Sequence, residues 1–183
     1  MRIIAGNLRG KILKTPDGLI TRPTSDRARE MIFNVLNSYF LKQGIQWQEV
    51  SFADVFAGSG AVGLEALSRG AKKIIAFETD KNAKKCLLEN IKGNKEISVL
   101  GDALHPPVGQ PVTILFMDAP YGRGLWQQSL KAFTENGWID EKTLIIIETD
   151  KLLQETLPEK FELIQIRSAG RNVFLLAQLK GST

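Results

Sequence analysis

Thiols and soft metal ligands are almost missing from this chain, whose 183 residues include one cysteine, Cys86, and one histidine, His105. A lone cysteine cannot close an internal disulfide, and with one histidine it falls short of the soft ligands a zinc site needs, so no metal is expected. Long apolar runs are missing too. Nowhere do eighteen apolar residues follow one another, and the opening MRIIAGNLRGK alternates basic and apolar residues where a secretory signal would be continuously apolar. No membrane association and a cytoplasmic location are therefore expected. Acidic residues are scarce at one end: residues 1 to 29 hold Arg2, Arg9, Lys11, Lys14, Arg22, Arg27 and Arg29 against Asp17 and Asp26 alone. Basic side chains interleaved with glycine and threonine suit phosphate contacts, although a surface that merely aids solubility has the same composition.

What is present suits one compact unit. A hydrophobic content of 43% over 183 residues gives enough apolar surface for a single core, so residues 1–183 are read as one domain, expected to be a monomer. Within it, residues 1–41 form a basic extension and residues 50–183 an α/β core. Met1 to Thr15 predicts two short strands around Asn7-Leu-Arg-Gly10, making a small hairpin. Thr24 or Ser25 can cap a helix whose apolar residues Ala28, Met31, Ile32, Val35, Leu36 and Tyr39 share one face. After a polar link from Lys42 to Gln48, strands and helices alternate. Strands are predicted over 50–56, 73–77, 97–100, 112–117 and 144–148, and helices over 61–68, 81–92 and 125–136. Two final strands, 161–167 and 171–179, flank Ser168-Ala-Gly170 as an antiparallel hairpin. This pattern predicts a doubly wound, Rossmann-like sheet of seven strands, mostly parallel, closed by an antiparallel C-terminal hairpin. That closure is the class I methyltransferase pattern, with ligands beyond the carboxyl ends of the strands.

DVFAGSGAVG, residues 54 to 63, follows the first core strand and has glycines in G-x-G-x-x-G order. In a dinucleotide fold Gly58, Gly60 and Gly63 would hold a pyrophosphate, and Glu78, twenty residues after Gly58, would bind a ribose. Asp54 weighs against that, because a carboxylate beside a pyrophosphate costs roughly 1–4 kcal/mol at contact distance. S-adenosylmethionine, with a sulfonium and an ammonium, reverses the sign. Asp102, in Gly101-Asp102-Ala103 after the third strand, places another carboxylate where an adenine amino group would sit. Taken alone, a glycine turn or Asp102 is an ordinary loop feature; acidic residues at three successive strand ends are harder to dismiss.

Met117-Asp-Ala-Pro-Tyr-Gly122 ends the fourth core strand. The sequence is similar to the amino-methyltransferase motif [D/N/S]PP[Y/F/W], with Ala119 in place of the first proline. An exocyclic amine has its lone pair delocalised into the ring. Asp118 and the Ala119 carbonyl can accept its two hydrogens and orient that lone pair, and Tyr121 can stack on the base. Ala119 loses proline's fixed φ, while Pro120 still biases it toward extended backbone. Lower preorganisation is expected from the substitution.

RPTSDRAREMIFNVL (22–36), DVFAGSGAVGLEALSRGA and FETD together resemble the RsmD family of bacterial 16S ribosomal RNA guanine-N2 methyltransferases, from GNLRG to SAGRNVFLL. The resemblance implies methyl transfer from S-adenosylmethionine to a guanine amine, with ribosomal RNA or the assembled small subunit as partner. It implies cofactor contacts from Asp54, Phe56, Gly58, Gly60, Glu78, Thr79, Asp102, Ala103 and Asp118. The guanine would be held by Asp118, Ala119, Pro120 and Tyr121. In this context Arg9, Lys11, Arg22, Thr24 and Arg27 become candidates for RNA contacts, with the RPT turn as a lid. The two-acceptor chemistry alone equally suits an amine on another RNA or DNA base or a protein amide. An NAD-dependent oxidoreductase lacks an evident hydride-transfer site, and a noncatalytic assembly protein would not need the carboxylates. His105 reads as a surface residue, and Cys86, Trp126 and Trp138 as packing residues, with Trp126 near enough to the DAPYG loop to stay a candidate for base contact.

Overall fold

Seven strands form one sheet in the order β3-β2-β1-β4-β5-β7-β6. The computed structural model describes residues 1–16, 25–120, 123–150 and 156–181. In chain order the core strands are β1 (Ser51–Val55), β2 (Lys73–Phe77), β3 (Ile97–Leu100), β4 (Ile114–Met117) and β5 (Leu144–Asp150), all in parallel pairings. Of the closing hairpin, β6 (Phe161–Ala169) and β7 (Asn172–Leu179), it is β7 that inserts beside β5, antiparallel to both neighbours. The predicted seven-stranded, mostly parallel sheet is thus the one observed, and the predicted β2 and β3 have the observed limits.

Side chains alternate between the two faces of the strands. One set, including Phe52, Ile74, Phe116, Ile146 and Phe174, packs under helix α1 (Asp26–Gln43) and helix α2 (Ala61–Ser68). The other, including Val55, Phe77, Met117 and Ile147, packs with Leu130 and Phe133 of helix α4 (Leu125–Glu135) and with Trp126 and Trp138. Both tryptophans are therefore core residues, and the Trp138 indole N–H donates to the Pro107 carbonyl. Helix α3 (Lys81–Asn90) lies beside α2, with Leu87 packed against Leu64 and Ala76.

Two local expectations change. The N-terminal hairpin is narrower than two strands: it closes through a single antiparallel bridge, Arg2 to Ile12, and backbone bonds between Ile3, Gly10 and Lys11. Docking supplies what the short pairing lacks, since Ile3 and Leu13 are buried against Leu64, Leu87 and Ile91. Ser25 caps α1, accepting from the Ala28 N–H at 3.2 Å, but the buried face is turned from the predicted one. Phe33, Phe40 and Arg29 are buried with Ala28, Ile32 and Leu36, leaving Met31, Val35 and Tyr39 at the margin. The cause lies outside the helix, because Phe33 and Phe40 pack on Trp47 of a 3-10 turn (Trp47–Glu49) at the end of the expected polar link.

Candidate functional site

Strand register brings the predicted acidic residues to one edge. Val55 pairs with Phe77 on one side and Met117 on the other, and Phe77 pairs with Leu100, so the next residues, Phe56, Glu78, Asp118 and Gly101, leave the sheet at the same level. The chain reverses its direction of growth across the sheet between β1 and β4. That switch point, beyond the carboxyl ends of the strands, is where open α/β sheets open a crevice.

The glycine loop is tied to β2 and closed on itself. The Ala57 N–H donates to the Phe77 carbonyl at 2.9 Å and the Gly60 N–H to the Ala57 carbonyl at 2.8 Å. Phe56 has φ of 66°, the one described non-glycine residue with a positive φ. A side chain in that region costs of order 1–3 kcal/mol and persists where its surroundings over-determine it. Here the cross-strand bond of the next residue and the packing of Phe56 on the core hold it.

Asp54 does not present an open carboxylate to the edge. It is 2% exposed, and its Oδ2 accepts from the Gly63 N–H of α2 at 2.8 Å. Burial pushes its pKa up from 3.8 to about 8; the Gly63 bond opposes that shift, while nearby Asp118 and Glu78 add to it. Burial therefore favours the neutral acid form of Asp54 in the free protein. The electrostatic preference for a cation belongs to Asp54, Glu78 and Asp118 together: three carboxyl groups in range of one another resist sharing full negative charge, and a cation relieves them.

Glu78 is half-buried. Its Oε2 accepts from the Gly58 N–H at 2.7 Å, while Oε1 accepts from Thr79 and Asp80 N–H groups at 2.8 and 2.7 Å. These bonds aim the carboxylate across the loop. Asp102 is exposed and accepts from the Leu104 N–H and, at 2.7 Å, from His105 Nδ1, a partner that the sequence did not suggest. The His105 side chain remains 83% exposed. Its hydrogen bond, with that of Leu104, holds the Asp102 carboxyl below the usual range. Ala103 is buried, with its carbonyl accepting from Ser129 Oγ of α4 at 2.7 Å.

Asp118 is half-buried, and its N–H donates to the Val55 carbonyl at 3.4 Å, so β1 and β4 stay joined up to the motif. Ala119 is 4% exposed within the α4-side core and Pro120 is exposed. Tyr121 lies outside the described residues, as do Arg22 and Thr24. Arg9 and Arg27 are exposed, whereas Lys11 donates its ammonium to the Asn90 carbonyl at 2.6 Å. Beyond these candidates the structure singles out Glu65, Ser68 and Asn90, which the sequence reading passed over. Glu65 accepts from Ile4 and Ala5 N–H groups, and Ser68 Oγ accepts from the Leu8 N–H. The Asn90 side chain bonds Lys14 through both its oxygen and its nitrogen, and also the Ser59 carbonyl of the glycine loop. One signal was available for Glu65: a lone carboxylate in the apolar run AVGLEALS needs a buried partner.

The donor set fits S-adenosylmethionine. The loop offers backbone beside a cluster of carboxyl groups, and a Cβ built on Gly58 would meet nothing within 4 Å, so space lies open beside the loop. Among the described residues no group of three or more histidine, cysteine, aspartate or glutamate side chains could hold a metal ion, and no helix is long and apolar enough to cross a membrane.

Residues 1–178 match the family model described as Conserved hypothetical protein 95. The chain is 35% identical to ribosomal RNA small subunit methyltransferase D of Escherichia coli (strain K12), over 97% of this chain and 89% of that protein. It is 34% identical to the protein of the same name from Haemophilus influenzae, over 93% and 89%. The solved structure of yhhF from Escherichia coli superposes with a TM-score of 0.83 at 34% identity, covering 100% of this chain and 99% of that one.

Proposed function

The chain belongs to the RsmD family, that of ribosomal RNA small subunit methyltransferase D, and on that premise we propose that it methylates the exocyclic N2 amine of a guanine in 16S ribosomal RNA. The observation that carries this reading is the level alignment of Glu78 and Asp118 on either side of the β1 loop, with Asp54 behind it. Cofactor carboxylates and the amine-binding motif then flank one crevice.

S-adenosylmethionine supplies a methyl group made electrophilic by its sulfonium. The chain does the positioning. Glu78 accepts hydrogen bonds from the ribose hydroxyls, the loop from Phe56 to Gly60 accommodates the methionine portion, and Thr79, Asp102 and Ala103 flank the adenine. The guanine amine is a weak nucleophile because its lone pair is shared with the ring. Asp118 and the Ala119 carbonyl accept its two hydrogens, which turns the lone pair outward and stabilises positive charge as the nitrogen becomes tetrahedral. As the new N–C bond forms at the expense of the sulfonium S–CH3 bond, the nitrogen sheds one of these protons through Asp118 to solvent. Tyr121 stacks on the base, which must leave its own stack to reach it. Burial of the Ala119 methyl in the core supports its part: packing restrains the backbone that a proline ring would have fixed.

The test is transfer of a labelled methyl group from S-adenosylmethionine to unmodified small ribosomal subunits and to naked 16S RNA, followed by nucleoside mass spectrometry. Label in N2-methylguanosine, reduced at least a hundredfold in Asp118→Ala, is the expected result, on the scale of losing a positioned transition-state acceptor. Label in adenosine, or equal label in the variant, would reject the assignment.

A further inference from the structure

The face of α3 turned away from the sheet is basic. Lys81, Lys84 and Lys85 lie with Leu88 at i, i+3, i+4 and i+7, one side of the helix, while Ala83, Leu87 and Asn90 on the other side are buried. Lys92 and Lys95 continue the run beyond the helix end. Between Lys81 and Lys95 the only acidic residue is Glu89, and it is taken by Lys14 at 2.5 Å. Among the described residues none of the five lysines closes a salt bridge.

Stability does not explain this placement. The N-terminal end of a helix carries the positive end of its dipole and favours acidic side chains, yet the first turn of α3 has no acidic residue and begins with Lys81. Lys81 and Lys85 are like charges at i, i+4, a repulsive pair on a helix surface. Asp80 at the N-cap, accepting from Asn82 and Ala83 N–H groups, and Glu89, which also attracts Lys85 and Lys92, offset only part of this repulsion. A helix that works against its own electrostatics suggests that its charges serve an external partner.

Tertiary structure sets a second basic element beside the first. The hairpin is fastened to the end of α3 by Lys14 on Glu89, Lys11 on the Asn90 carbonyl and Asn90 on both sides of the Lys14 backbone. Asn90 also donates to Ser59, so the assembly is fixed relative to the glycine loop. We infer that the lysine face of α3 and the hairpin form one phosphate-binding platform for RNA. This rests on the RNA methyltransferase reading above. The platform begins at the cofactor edge, where Asp80 follows Glu78 by two residues, and ends at Arg9 on the hairpin. An RNA backbone cannot lie over the crevice itself, because Glu78 and Asp118 repel phosphate. Cations to one side carry the backbone, and only the base enters the acidic cluster.

Binding of unmodified 16S RNA transcript, titrated with protein at several salt concentrations, tests the platform. The triple variant Lys81→Gln, Lys84→Gln, Lys85→Gln is expected to lower the slope of log affinity against log salt by about two, from about 0.7 per neutralised single-strand phosphate contact. Its affinity at 0.1 M salt should fall at least tenfold, with S-adenosylmethionine binding unchanged. The matching lysine-to-arginine triple should restore both slope and affinity, which a folding defect would not predict. Lys131→Gln, Lys142→Gln, Lys160→Gln, away from α3, is the control for net charge. Equal slopes for the α3 and control triples, with wild type binding RNA, would overturn the platform alone. Absence of salt-dependent RNA binding by wild type would overturn the function reading with it.

Discussion

Asp54 shows how one side chain can be acidic in sequence and neutral in place. With its pKa raised from 3.8 to about 8, the folded protein keeps a proton that the unfolded chain releases. Its contribution to stability is therefore full below about pH 4, declines as pH rises, and is gone above about pH 8. Urea midpoints measured from pH 5 to pH 9 should fall with rising pH in the wild type, and Asp54→Asn should flatten that part of the profile; parallel profiles would show that Asp54 is not the proton holder. A cationic cofactor favours the ionised form, so S-adenosylmethionine should bind more tightly as pH rises toward 8. The same variant should lose that pH dependence, with its affinity falling furthest behind wild type near pH 8, where wild-type Asp54 ionises. Calorimetry in buffers of different ionisation heat would register the released proton.

At the scale of elements, α2 holds the N-terminal extension as much as it supports the loop. Glu65 is fully buried and meets Arg69 at 2.9 Å and Arg29 at 4.0 Å, besides accepting from the Ile4 and Ala5 N–H groups. Arg29 in turn donates to the Arg2 carbonyl and to Asp26, so α1, α2 and the hairpin share one network. The run GLEALSRGA, which carries much of the family resemblance, thus encodes a docking contact. Gly6 makes the contact possible: a Cβ there would stand 1.8 Å from the Ser68 carbonyl oxygen, at a φ of +81°. Gly6→Ala should cost about 3 kcal/mol in urea unfolding, combining backbone strain with overpacking. Gly10→Ala is the comparison, with a φ of +86° and nothing within 4 Å, and should cost clearly less. Equal losses would mean that the hairpin does not seat on α2 as described.

For the whole molecule, charge is divided by function. Carboxyl groups gather at the carboxyl ends of the strands, while the hairpin and α3 present cations beside them. The extension shares a buried network and a hydrophobic cluster with α2 and α3, so residues 1–183 are proposed to unfold as one cooperative unit. Tryptophan fluorescence reports the core through buried Trp126 and Trp138, together with half-buried Trp47, and amide hydrogen exchange of residues 3–13 reports the hairpin. Both should give one free energy of opening; weaker protection of the hairpin by more than about 2 kcal/mol would make it a separate unit.

Much of this was already fixed locally. The apolar run Ile74 to Phe77 sets β2 and the β-branched and apolar residues of Ile97 to Leu100 set β3, Ser25 and Gly44 bound α1 through capping geometry, and the glycines after β1 mark the loop, because each signal acts within a few residues. The acidic strand ends and the DAPYG motif were legible for the same reason. The rest depended on contacts between segments far apart in sequence. Periodicity could not foresee that Phe33 and Phe40 would turn inward to meet Trp47, or that Lys11 would cap α3 instead of standing free. Composition placed the positive charge at the N-terminus, and only docking through Lys14 and Asn90 joined it to the lysines of α3. The sequence alone determined which groups the protein possesses and the local structure on which each stands. Tertiary structure decided which of them meet, which are stripped of water and, for Asp54, whether the group carries its charge, since desolvation and Coulomb interaction depend on neighbours that chain order does not reveal.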